Sequence, residues 1–400
     1  MGATVEGWTK VKLGDIGQSL IGLTYDPSSV KPSGTLVLRS SNIQDGILTF
    51  EDNVFVDCAI PDRIRVRDND ILICVRNGSR RLIGKSVMLD RRVAGETFGA
   101  FMAVYRSDVN KFLKYFFQSD DFKRQIDEHL GATINQITNG SLNGFVVALP
   151  SRTEQLEIAS RLMDLDRLIA ALGRLIAKRE AIKQGMMQEL LAGRTRLPGF
   201  EARWTTTVVA ELAEQHRASL DPHDYPKTVF QHFSLPAFDE SEAPVLELGS
   251  SIDSQKTRVP TGAVLVSKLN PRIPRIWVTS DLRSNAIAST EFIVLTARQG
   301  VDRSYLGWLM KSAPIASRMK LLAVGTTGSH ARIHPRQVLA LDCLVPELNE
   351  QKAIAVVLDD VDAELNRLRV RLTKVRFLKQ GMLQQLLTGR TRLLAGEEAS

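Results

Sequence analysis

Two polar loops contain the residues whose types and spacing point to chemistry. VRNGSRRLIGK at 75–85 and SKLNPRIPR at 267–275 each follow a short apolar run that predicts a strand. Arginine can donate two parallel hydrogen bonds to guanine in the major groove, asparagine can bond adenine in the same way, and serine or backbone N–H groups hold phosphates. We therefore interpret both loops as nucleic-acid contacts rather than solvated charge. The candidates are Arg76, Asn77, Ser79, Arg80, Arg81, Lys85, Lys268, Asn270, Arg272 and Arg275.

Two more polar loops, GATINQITNG at 131–140 and GTTGSHARIH at 325–334, occupy corresponding places in the two halves of the chain. Glycine gives each loop conformational freedom, and the polar residues can bond base edges or phosphates. An ordinary connection between a helix and a strand explains the same composition equally well. The further DNA-binding candidates are Thr133, Asn135, Gln136, Thr327, Ser329, His330 and Arg332.

Enzyme signatures are incomplete in this sequence. GSRRLIGKS at 78–86 resembles a phosphate-binding loop, but Gly78 and Gly84 are six positions apart where that motif requires about five. His330 and His334 have a helical spacing, but no carboxylate accompanies them at the HExxH position. We therefore predict no catalytic residue, no metal site and no cofactor on this chain.

The composition is that of a globular protein, and its basic charge favours a polyanionic partner, although many cytosolic proteins are mildly basic too. The 400 residues are 44% apolar, which is enough for more than one core, and the net charge is +7. The three cysteines, Cys58, Cys74 and Cys343, form no CxxC pair, which argues against a disulfide framework or a zinc site. Because there is no long apolar run and no signal-peptide pattern, we expect a cytoplasmic protein without a membrane span.

An internal repeat determines how the loops are positioned. KQGMMQELLAGRTRL begins at Lys183, and KQGMLQQLLTGRTRL begins at Lys379, 196 positions later. The same shift aligns 150–197 with 346–393, where 22 of those 48 positions are identical, and superposes Trp8 on Trp204. The repeat unit is therefore half of the chain. The remainder of each half aligns only weakly, so one part was kept alike while the other diverged.

Each closely copied segment is predicted to be one helix of roughly 35 to 40 residues, because apolar residues recur at the alternating spacings of a coiled-coil seam. Each helix should end at a glycine, Gly193 or Gly389, in a left-handed C′ position. We expect the two copies to pair antiparallel and to hold the globular parts at opposite ends; a generic dimerisation coiled coil is the simpler alternative. The predicted helix-pair seam is Ile158, Leu162, Leu165, Ile169, Leu172, Ile176, Ile354, Leu358, Val361, Leu365, Leu368 and Leu372.

The diverged parts are predicted to be α/β domains. The apolar runs at 71–75, 98–105, 263–267 and 291–297 predict strands, and one amphipathic helix is expected at 111–129 and another at 303–322. We therefore divide the chain into a globular domain (1–149), a helix (150–197), a second globular domain (198–345) and a second helix with a tail (346–400).

This arrangement resembles the specificity subunit of Type I restriction-modification enzymes over essentially the full length of the chain. The matching features are the tandem halves, the Trp-Thr openings at 8–9 and 204–205, the proline with Glu-Gln at the start of each helix, and the KQGM…GRTRL endings. Each feature is weak alone, but their order and double occurrence are specific. Leu149 departs from the valine that Val345 provides in the second copy.

The resemblance implies a DNA reader without catalytic activity. Each globular domain would be a target recognition domain for one half of a split, asymmetric DNA site, the two domains being related by a pseudo-two-fold axis and the helices forming the spacer. Two modification subunits, which carry S-adenosylmethionine and methylate adenine, would dock on this scaffold. Restriction subunits that use ATP and Mg would join them, so all cofactors are expected on partner chains.

Two other functions fit the same features. A specificity subunit for a fused methyltransferase-nuclease of the Type II kind is hardly separable by sequence. A stand-alone architectural coiled-coil protein that binds DNA without sequence preference belongs to another class, and the divergence of the two globular parts argues against it.

Overall fold

The computed structural model describes residues 6–130, 136–324 and 331–393. The chain divides into two compact units: the first contains residues 1–172 and 371–400, and the second contains residues 173–370. Each unit therefore combines one globular lobe with a segment of each long helix. Both units mix strands with helices, which confirms the predicted α/β class. The exact domain boundaries proposed from the sequence stay a prediction.

The strands of the first unit are β1 (Thr9–Lys12), β2 (Gln18–Ile21), β3 (Val30–Lys31), β4 (Thr35–Leu38), β5 (Ile43–Gln44), β6 (Ile47–Leu48), β7 (Phe55–Val56), β8 (Ile71–Cys74), β9 (Ser86–Met88), β10 (Thr97–Phe98), β11 (Met102–Arg106) and β12 (Val146–Leu149). One four-stranded sheet has the order β2-β11-β8-β9, and another has the order β10-β4-β7-β3. All four residues of β8 are buried, because its run ILIC is apolar without alternation and packs on both faces.

The helices that begin in the first unit are α1 (Leu13–Ile16), α2 (Asn110–Phe116), α3 (Asp120–Leu130), α4 (Asn139–Gly144) and α5 (Arg152–Leu190). The single helix predicted at 111–129 is wrong, because α2 and α3 are separate. Ser119 lies between them, donates its hydroxyl proton to the carbonyl of Phe116 at 2.7 Å and accepts the N–H of Phe122 at 3.2 Å. A serine in this position caps the start of a new helix.

The strands of the second unit are β13 (Thr205–Val208), β14 (Ala213–His216), β15 (Ser219–Leu220), β16 (Val229–Phe233), β17 (Val245–Leu248), β18 (Lys256–Arg258), β19 (Ala263–Ser267), β20 (Ile276–Val278), β21 (Ala286–Ser289), β22 (Phe292–Ala297) and β23 (Asp342–Val345). A four-stranded sheet has the order β14-β22-β19-β20, and a five-stranded sheet has the order β15-β18-β21-β16-β17. The strands predicted at 263–267 and 291–297 are confirmed as β19 and β22.

The helices that begin in the second unit are α6 (Val209–Leu212), α7 (Leu235–Ser241), α8 (Arg303–Lys311), α9 (Ala313–Leu322), α10 (Pro335–Leu339) and α11 (Leu348–Leu387). The single helix predicted at 303–322 is also wrong. Ser312 has an extended backbone, with ψ 147°, and Pro314 lies in the first turn of α9. Proline lacks the N–H that would continue the preceding helix, so the chain ends α8 and starts again.

The two lobes share the topology of one four-stranded sheet, while their other large sheets differ in strand number. The order β2-β11-β8-β9 in the first unit corresponds strand for strand to β14-β22-β19-β20 in the second, and all neighbours in both sheets are antiparallel. In each unit the first strand also pairs antiparallel with the strand just before a long helix, as β1 with β12 and as β13 with β23. The sequence duplication is therefore a structural duplication.

The long helices α5 and α11 contain 39 and 40 residues, as predicted. Within each unit their segments run antiparallel, because partner numbers rise on one helix as they fall on the other. In the first unit Asp166 meets Lys379 and Glu154 meets Arg392; in the second Lys183 meets Asp362. Gly193 and Gly389 both have φ +67°, which confirms the left-handed ends of the helices.

Three of the repeated sequence motifs meet at a buried glutamate in the first unit. The Glu154 side chain is only 4% exposed, and it accepts two hydrogen bonds from the guanidinium of Arg392, at 2.8 and 2.9 Å. The indole N–H of Trp8 also donates to this carboxylate, at 3.3 Å. Opening tryptophan, helix-start glutamate and terminal arginine thus form one cluster, although they are far apart in sequence.

The second unit contains the same cluster, displaced by 196 positions. Glu350, 3% exposed, accepts two bonds of 2.6 Å from Arg196 and one of 3.1 Å from Trp204. In each unit the arginine follows the end of the long helix that begins in the other unit. The same three motifs therefore form the cluster in both units. We refer to these two sites as the Trp-Glu-Arg clusters. They explain why both copies of the motifs were kept nearly identical.

A second ionic contact links lobe and helix. In the first unit, Asp166 lies between the ammonium groups of Lys114 at 2.7 Å and Lys379 at 2.8 Å, and it accepts the hydroxyl of Tyr115 at 3.0 Å. Burial alone would raise the pKa of Asp166, but the two lysines outweigh burial and lower that pKa below its ordinary value. In the second unit, Lys183 pairs with Asp362.

All twelve residues of the predicted seam are buried or half-buried. Ile158 and Leu162 belong to the hydrophobic core of the first unit, where the α11 residue Leu386 joins them. Ile354 and Leu358 have the same place in the second unit, together with Leu190 of α5. The beginning of each helix is therefore buried by its lobe as well as by the other helix.

Candidate nucleic-acid interface

Three chain segments meet beyond the end of β8 in the first unit. The N–H of Val75 donates to the carbonyl of Phe101 at 3.1 Å, and the carbonyl of Val75 accepts the N–H of Ile137 at 2.8 Å. Arg76 and Gln136 then form an antiparallel bridge. We call this meeting point of the segments around Val75, Phe101 and Ile137 the first loop cluster.

The second unit repeats these backbone contacts beyond the end of β19. The N–H of Lys268 donates to the carbonyl of Glu291 at 2.8 Å, and its carbonyl accepts the N–H of Ile333 at 3.0 Å. Leu269 and Arg332 form the corresponding bridge. We call this place the second loop cluster. Val75 is therefore equivalent to Lys268, and Phe101 is equivalent to Glu291.

The side chains of the first loop cluster are polar and aromatic. The guanidinium of Arg76 lies 5.1 Å from the ring centre of Phe101, a cation–π distance, and Phe101 is 57% exposed. Asn77 accepts the N–H of Ser79 at 2.9 Å, which forms the turn after the strand. A cavity of about 550 Å³ opens here; its lining includes Arg76, Asn77, Phe101, Tyr25, Arg39 and Ser41.

The second loop cluster carries different side chains on the same backbone. Arg332 donates from Nε to Glu291 Oε2 at 3.2 Å and from Nη2 to Oε1 at 3.1 Å. The neighbouring carboxylate raises the pKa of the Arg332 guanidinium. Asn270 adopts φ +47°, and its buried Oδ1 has no hydrogen-bond partner among the described residues. Such an unpaired acceptor is costly unless a ligand or water satisfies it.

Several predicted DNA-binding residues lie apart from the loop clusters or are engaged within the protein. Arg275 makes two bonds with Asp239, at 2.6 and 2.8 Å, and its side chain is only 12% exposed, so it stabilises the second lobe. Arg80 pairs with Asp127 of α3 at 3.6 Å. Lys85 donates to Gln44 at 3.5 Å. The buried pair of Arg275 indicates a structural role, whereas Arg80 and Lys85, whose contacts are long and exposed, stay predicted DNA-binding residues.

The other predicted residues are placed as follows. Arg81, Gln136 and Arg272 are exposed, while Lys268 is half-buried and its backbone belongs to the second loop cluster. Thr133, Asn135, Thr327, Ser329 and His330 lie outside the described residues. The structure thus brings Arg76, Asn77 and Gln136 together in one unit, and Lys268, Asn270 and Arg332 together in the other. Their contact with DNA stays a prediction.

Phe101 and Glu291 were missed by the sequence analysis. Both immediately precede the central strand of a sheet, so they were counted among the strand residues at 98–105 and 291–297. A signal exists for Phe101, because Gly99 and Ala100 interrupt its apolar run. Nothing in the sequence indicates that Glu291 pairs with Arg332, which lies 41 positions later.

Other kinds of site find no support in the described parts of the chain. No group of three or more histidine, cysteine, aspartate or glutamate side chains is arranged to hold a metal ion there. Cys58, Cys74 and Cys343 are free thiols, and burial raises the pKa of Cys74. No described helix is both long and apolar enough to cross a bilayer.

Comparison with known proteins gives consistent results. Residues 5–181 match the family model described as "Type I restriction modification DNA specificity domain". The chain is 22% identical to the Type I restriction enzyme EcoKI specificity subunit of Escherichia coli K12, over 97% of this chain and 90% of that protein. It is 28% identical to the StySPI specificity subunit of Salmonella potsdam, over 46% of this chain and 41% of that protein.

Two solved structures share the fold. The S subunit of a Type I restriction-modification system from M. genitalium has a TM-score of 0.61 at 14% identity, covering 95% of this chain and 96% of that chain. A chain from a study of assembly and conformational transition of the type I R-M system has a TM-score of 0.56 at 18% identity, covering 98% of this chain and 100% of that chain. At such low identity these likenesses show the fold alone.

Proposed function

We infer that this chain belongs to the specificity subunits of Type I restriction-modification enzymes, and we propose that it reads DNA for such a complex. The family match and the named relatives support this assignment over the Type II and architectural alternatives. Each lobe reads one half of a bipartite, asymmetric site. The long helices α5 and α11 set the unread spacer and provide the scaffold on which the enzymatic subunits dock.

The observation that supports this function is the contrast between two nearly identical Trp-Glu-Arg clusters and two loop clusters with different side chains. The Trp-Glu-Arg clusters of the two units are alike atom for atom, whereas the loop clusters use one backbone arrangement to present Arg76 with Phe101 in one unit and Arg332 with Glu291 in the other. A protein that binds DNA without sequence preference does not need two different loop clusters on one repeated scaffold. A reader of two different half-sites requires them.

Partner subunits supply the chemistry in this proposal. Two modification subunits bring S-adenosylmethionine and methylate adenine, and restriction subunits bring ATP hydrolysis and Mg-dependent cleavage in the cytoplasm. The chain itself contributes binding and positioning without catalysis. The equivalent helix residues Ile182 and Leu378, exposed by 38% and 54%, support docking of two identical partners on this scaffold.

The direct test is to compare variants in the assembled complex on a panel of DNA sites. Arg76→Ala should relax the preference at one base pair of one half-site by about 1–3 kcal/mol, and Lys268→Ala should act on the other half-site. Arg174→Ala, an exposed arginine on α5, is the control and should leave both half-sites unchanged.

How the loss of affinity is distributed over the DNA panel distinguishes a base contact from a phosphate contact. An equal loss of affinity on every DNA sequence would reassign the residue to a phosphate contact. A wild-type complex that binds or methylates all sequences equally would contradict the proposed function. Methylation by the pure chain without partner subunits would contradict its non-catalytic role.

A further inference from the structure

Each loop cluster presents one exposed arginine, and a residue at the same backbone position holds it. In the first cluster the holder is Phe101, whose ring lies 5.1 Å from the guanidinium of Arg76. In the second cluster the holder is Glu291, whose carboxylate binds Arg332 through two hydrogen bonds. The arginine lies on different segments in the two units, after the end of β8 in the first and in the loop before α10 in the second. The residue that contacts it, Phe101 or Glu291, lies at the same backbone position in both.

The bonds of Arg332 leave one side of its guanidinium available. Glu291 accepts from Nε and Nη2, which form the lateral edge of the group. The terminal edge, made by Nη1 and the second proton of Nη2, has no partner among the described residues. Those two parallel donors match the O6 and N7 acceptors that guanine presents in the major groove.

Exposure distinguishes Arg332 from an arginine that has only a structural role. Arg275 uses the same lateral edge to bind Asp239, but its side chain is 12% exposed and its Nη1 is buried. The Arg332 side chain is 53% exposed. The carboxylate therefore fixes the direction of a group that a duplex can reach, which reduces the entropy lost when the arginine binds a base.

Phe101 holds Arg76 by a different interaction. The centre of its ring lies 5.1 Å from the guanidinium carbon, and a cation–π contact uses none of the N–H donors of Arg76. Phe101 is 57% exposed and lines the cavity in the first unit. An exposed ring beside an arginine can also pack on a thymine methyl group of the neighbouring base pair.

We propose that Phe101 and Glu291 are the positioning residues that set base specificity, each directing one guanidinium, that of Arg76 or of Arg332, toward a guanine in its half-site. This inference rests on the proposed function and adds the base class and the residues that select it. Glu291 carries a negative charge, which repels phosphates, so in this proposal it weakens general attraction to DNA while sharpening discrimination. Selectivity and overall affinity therefore change separately when it is removed.

The experiment uses the complete complex with its modification subunits and measures binding to sites in which each G·C pair is replaced in turn. Glu291→Ala should reduce discrimination at one pair of the second half-site at least about tenfold, while affinity for unrelated DNA stays equal or rises. Arg332→Ala should relax the same pair, and the double variant should lose no further discrimination. Glu291→Gln, which keeps the hydrogen-bond acceptor, should restore part of it.

The first unit offers a parallel test. Phe101→Leu removes the aromatic face and should relax one pair of the first half-site, the pair that Arg76→Ala relaxes, whereas Phe101→Trp should preserve the preference. Thermal unfolding of every variant reports whether its lobe remains folded. A folded variant of Glu291 or Phe101 that keeps full discrimination between base pairs would overturn the inference. The inference would also be overturned if substitutions of a positioning residue and of its arginine changed the preference at different base pairs. Absence of any preference in the wild-type complex would instead contradict the proposed function.

Discussion

Asp166 shows how a single carboxylate on α5 ties the first lobe to the helix pair. It contacts Lys114 of the lobe and Lys379 of α11 while its side chain is only 24% exposed. Replacing it with asparagine leaves two half-buried ammonium groups next to each other without a counter-charge. We predict that Asp166→Asn lowers the free energy of unfolding by about 2–4 kcal/mol at neutral pH.

The lowered pKa of Asp166 also predicts a pH dependence. A carboxylate whose pKa is lower in the folded state stabilises the fold above the unfolded pKa of about 3.9 and loses that contribution as the pH falls through the folded pKa. The wild type should therefore lose more stability between about pH 5 and pH 2 than Asp166→Asn does. Denaturant midpoints measured across this range check the difference.

Asp164→Asn is the matched control for this prediction. Asp164 lies on the same helix, but its side chain is 59% exposed and pairs with Arg167 one turn away. We expect a change within about 0.5 kcal/mol. Equal effects of the two substitutions would refute the structural role of Asp166.

At the scale of residues, the sequence identified Arg76 and Arg332 as DNA-binding candidates but not the residues that contact their guanidinium groups. Arg76 could be selected because a basic loop follows an apolar strand. Arg332 could be selected because its loop recurs at the corresponding place in both halves. Phe101 and Glu291 come from the segments just before β11 and β22, and the contact of those segments with the loops depends on tertiary register that a single sequence does not contain.

Each long helix ends at a glycine that the structure requires. Gly193 has φ +67°, and a Cβ placed there would lie 3.2 Å from the indole of Trp204. We predict that Gly193→Ala destabilises the second unit by about 1–2 kcal/mol, because alanine is strained at this φ and must also displace the ring. Thermal unfolding of the full chain measures the shift.

A second glycine of the same helix provides the control with the opposite sign. Gly185 lies within α5, and a Cβ placed there would meet nothing within 4 Å. Gly185→Ala should raise the stability by up to about 1 kcal/mol, since alanine favours a helix interior. A loss of stability in both variants would contradict this account of the helix end.

At the scale of elements, periodic segments were predicted well and interruptions were not. The 3.5-residue spacing over some forty positions gave α5 and α11 nearly to their ends, because many turns reinforce one pattern. The helices predicted at 111–129 and 303–322 are each divided in two. Each break depends on one residue, Ser119 or Pro314. Serine and proline are also tolerated near the start of a helix, so whether either residue ends a helix depends on local packing.

At the scale of the whole molecule, the repeat of α5 and α11 predicts two equivalent docking positions for the proposed modification subunits. Ile182 and Leu378 are equivalent positions of the repeat, and both remain exposed on their helices. In the proposed complex with two modification subunits, Ile182→Asp and Leu378→Asp should each reduce the number that binds from two to one, and the double variant should bind none. Light scattering after gel filtration measures the stoichiometry.

The control for docking is a substitution of equal charge elsewhere on the surface. Phe50 is 37% exposed in the lobe of the first unit, so Phe50→Asp changes an apolar residue to aspartate without altering α5 or α11. Its complexes should retain two modification subunits. Normal stoichiometry in the Ile182 and Leu378 double variant would exclude this surface as the docking site.

The central claim is that α5 and α11 set the distance between two half-sites that the loop clusters read. The most direct measurement inserts seven helix-forming residues between Leu172 and Gly173 and seven more between Val370 and Arg371, where neither Trp-Glu-Arg cluster is interrupted, and sequences the methylated sites in host DNA. Seven residues add about 10 Å of helix, or about three base pairs, and preserve the heptad phase. We predict the same two half-sites separated by about three more unread base pairs. Methylation at an unchanged spacing, or at altered half-sites, would contradict the account.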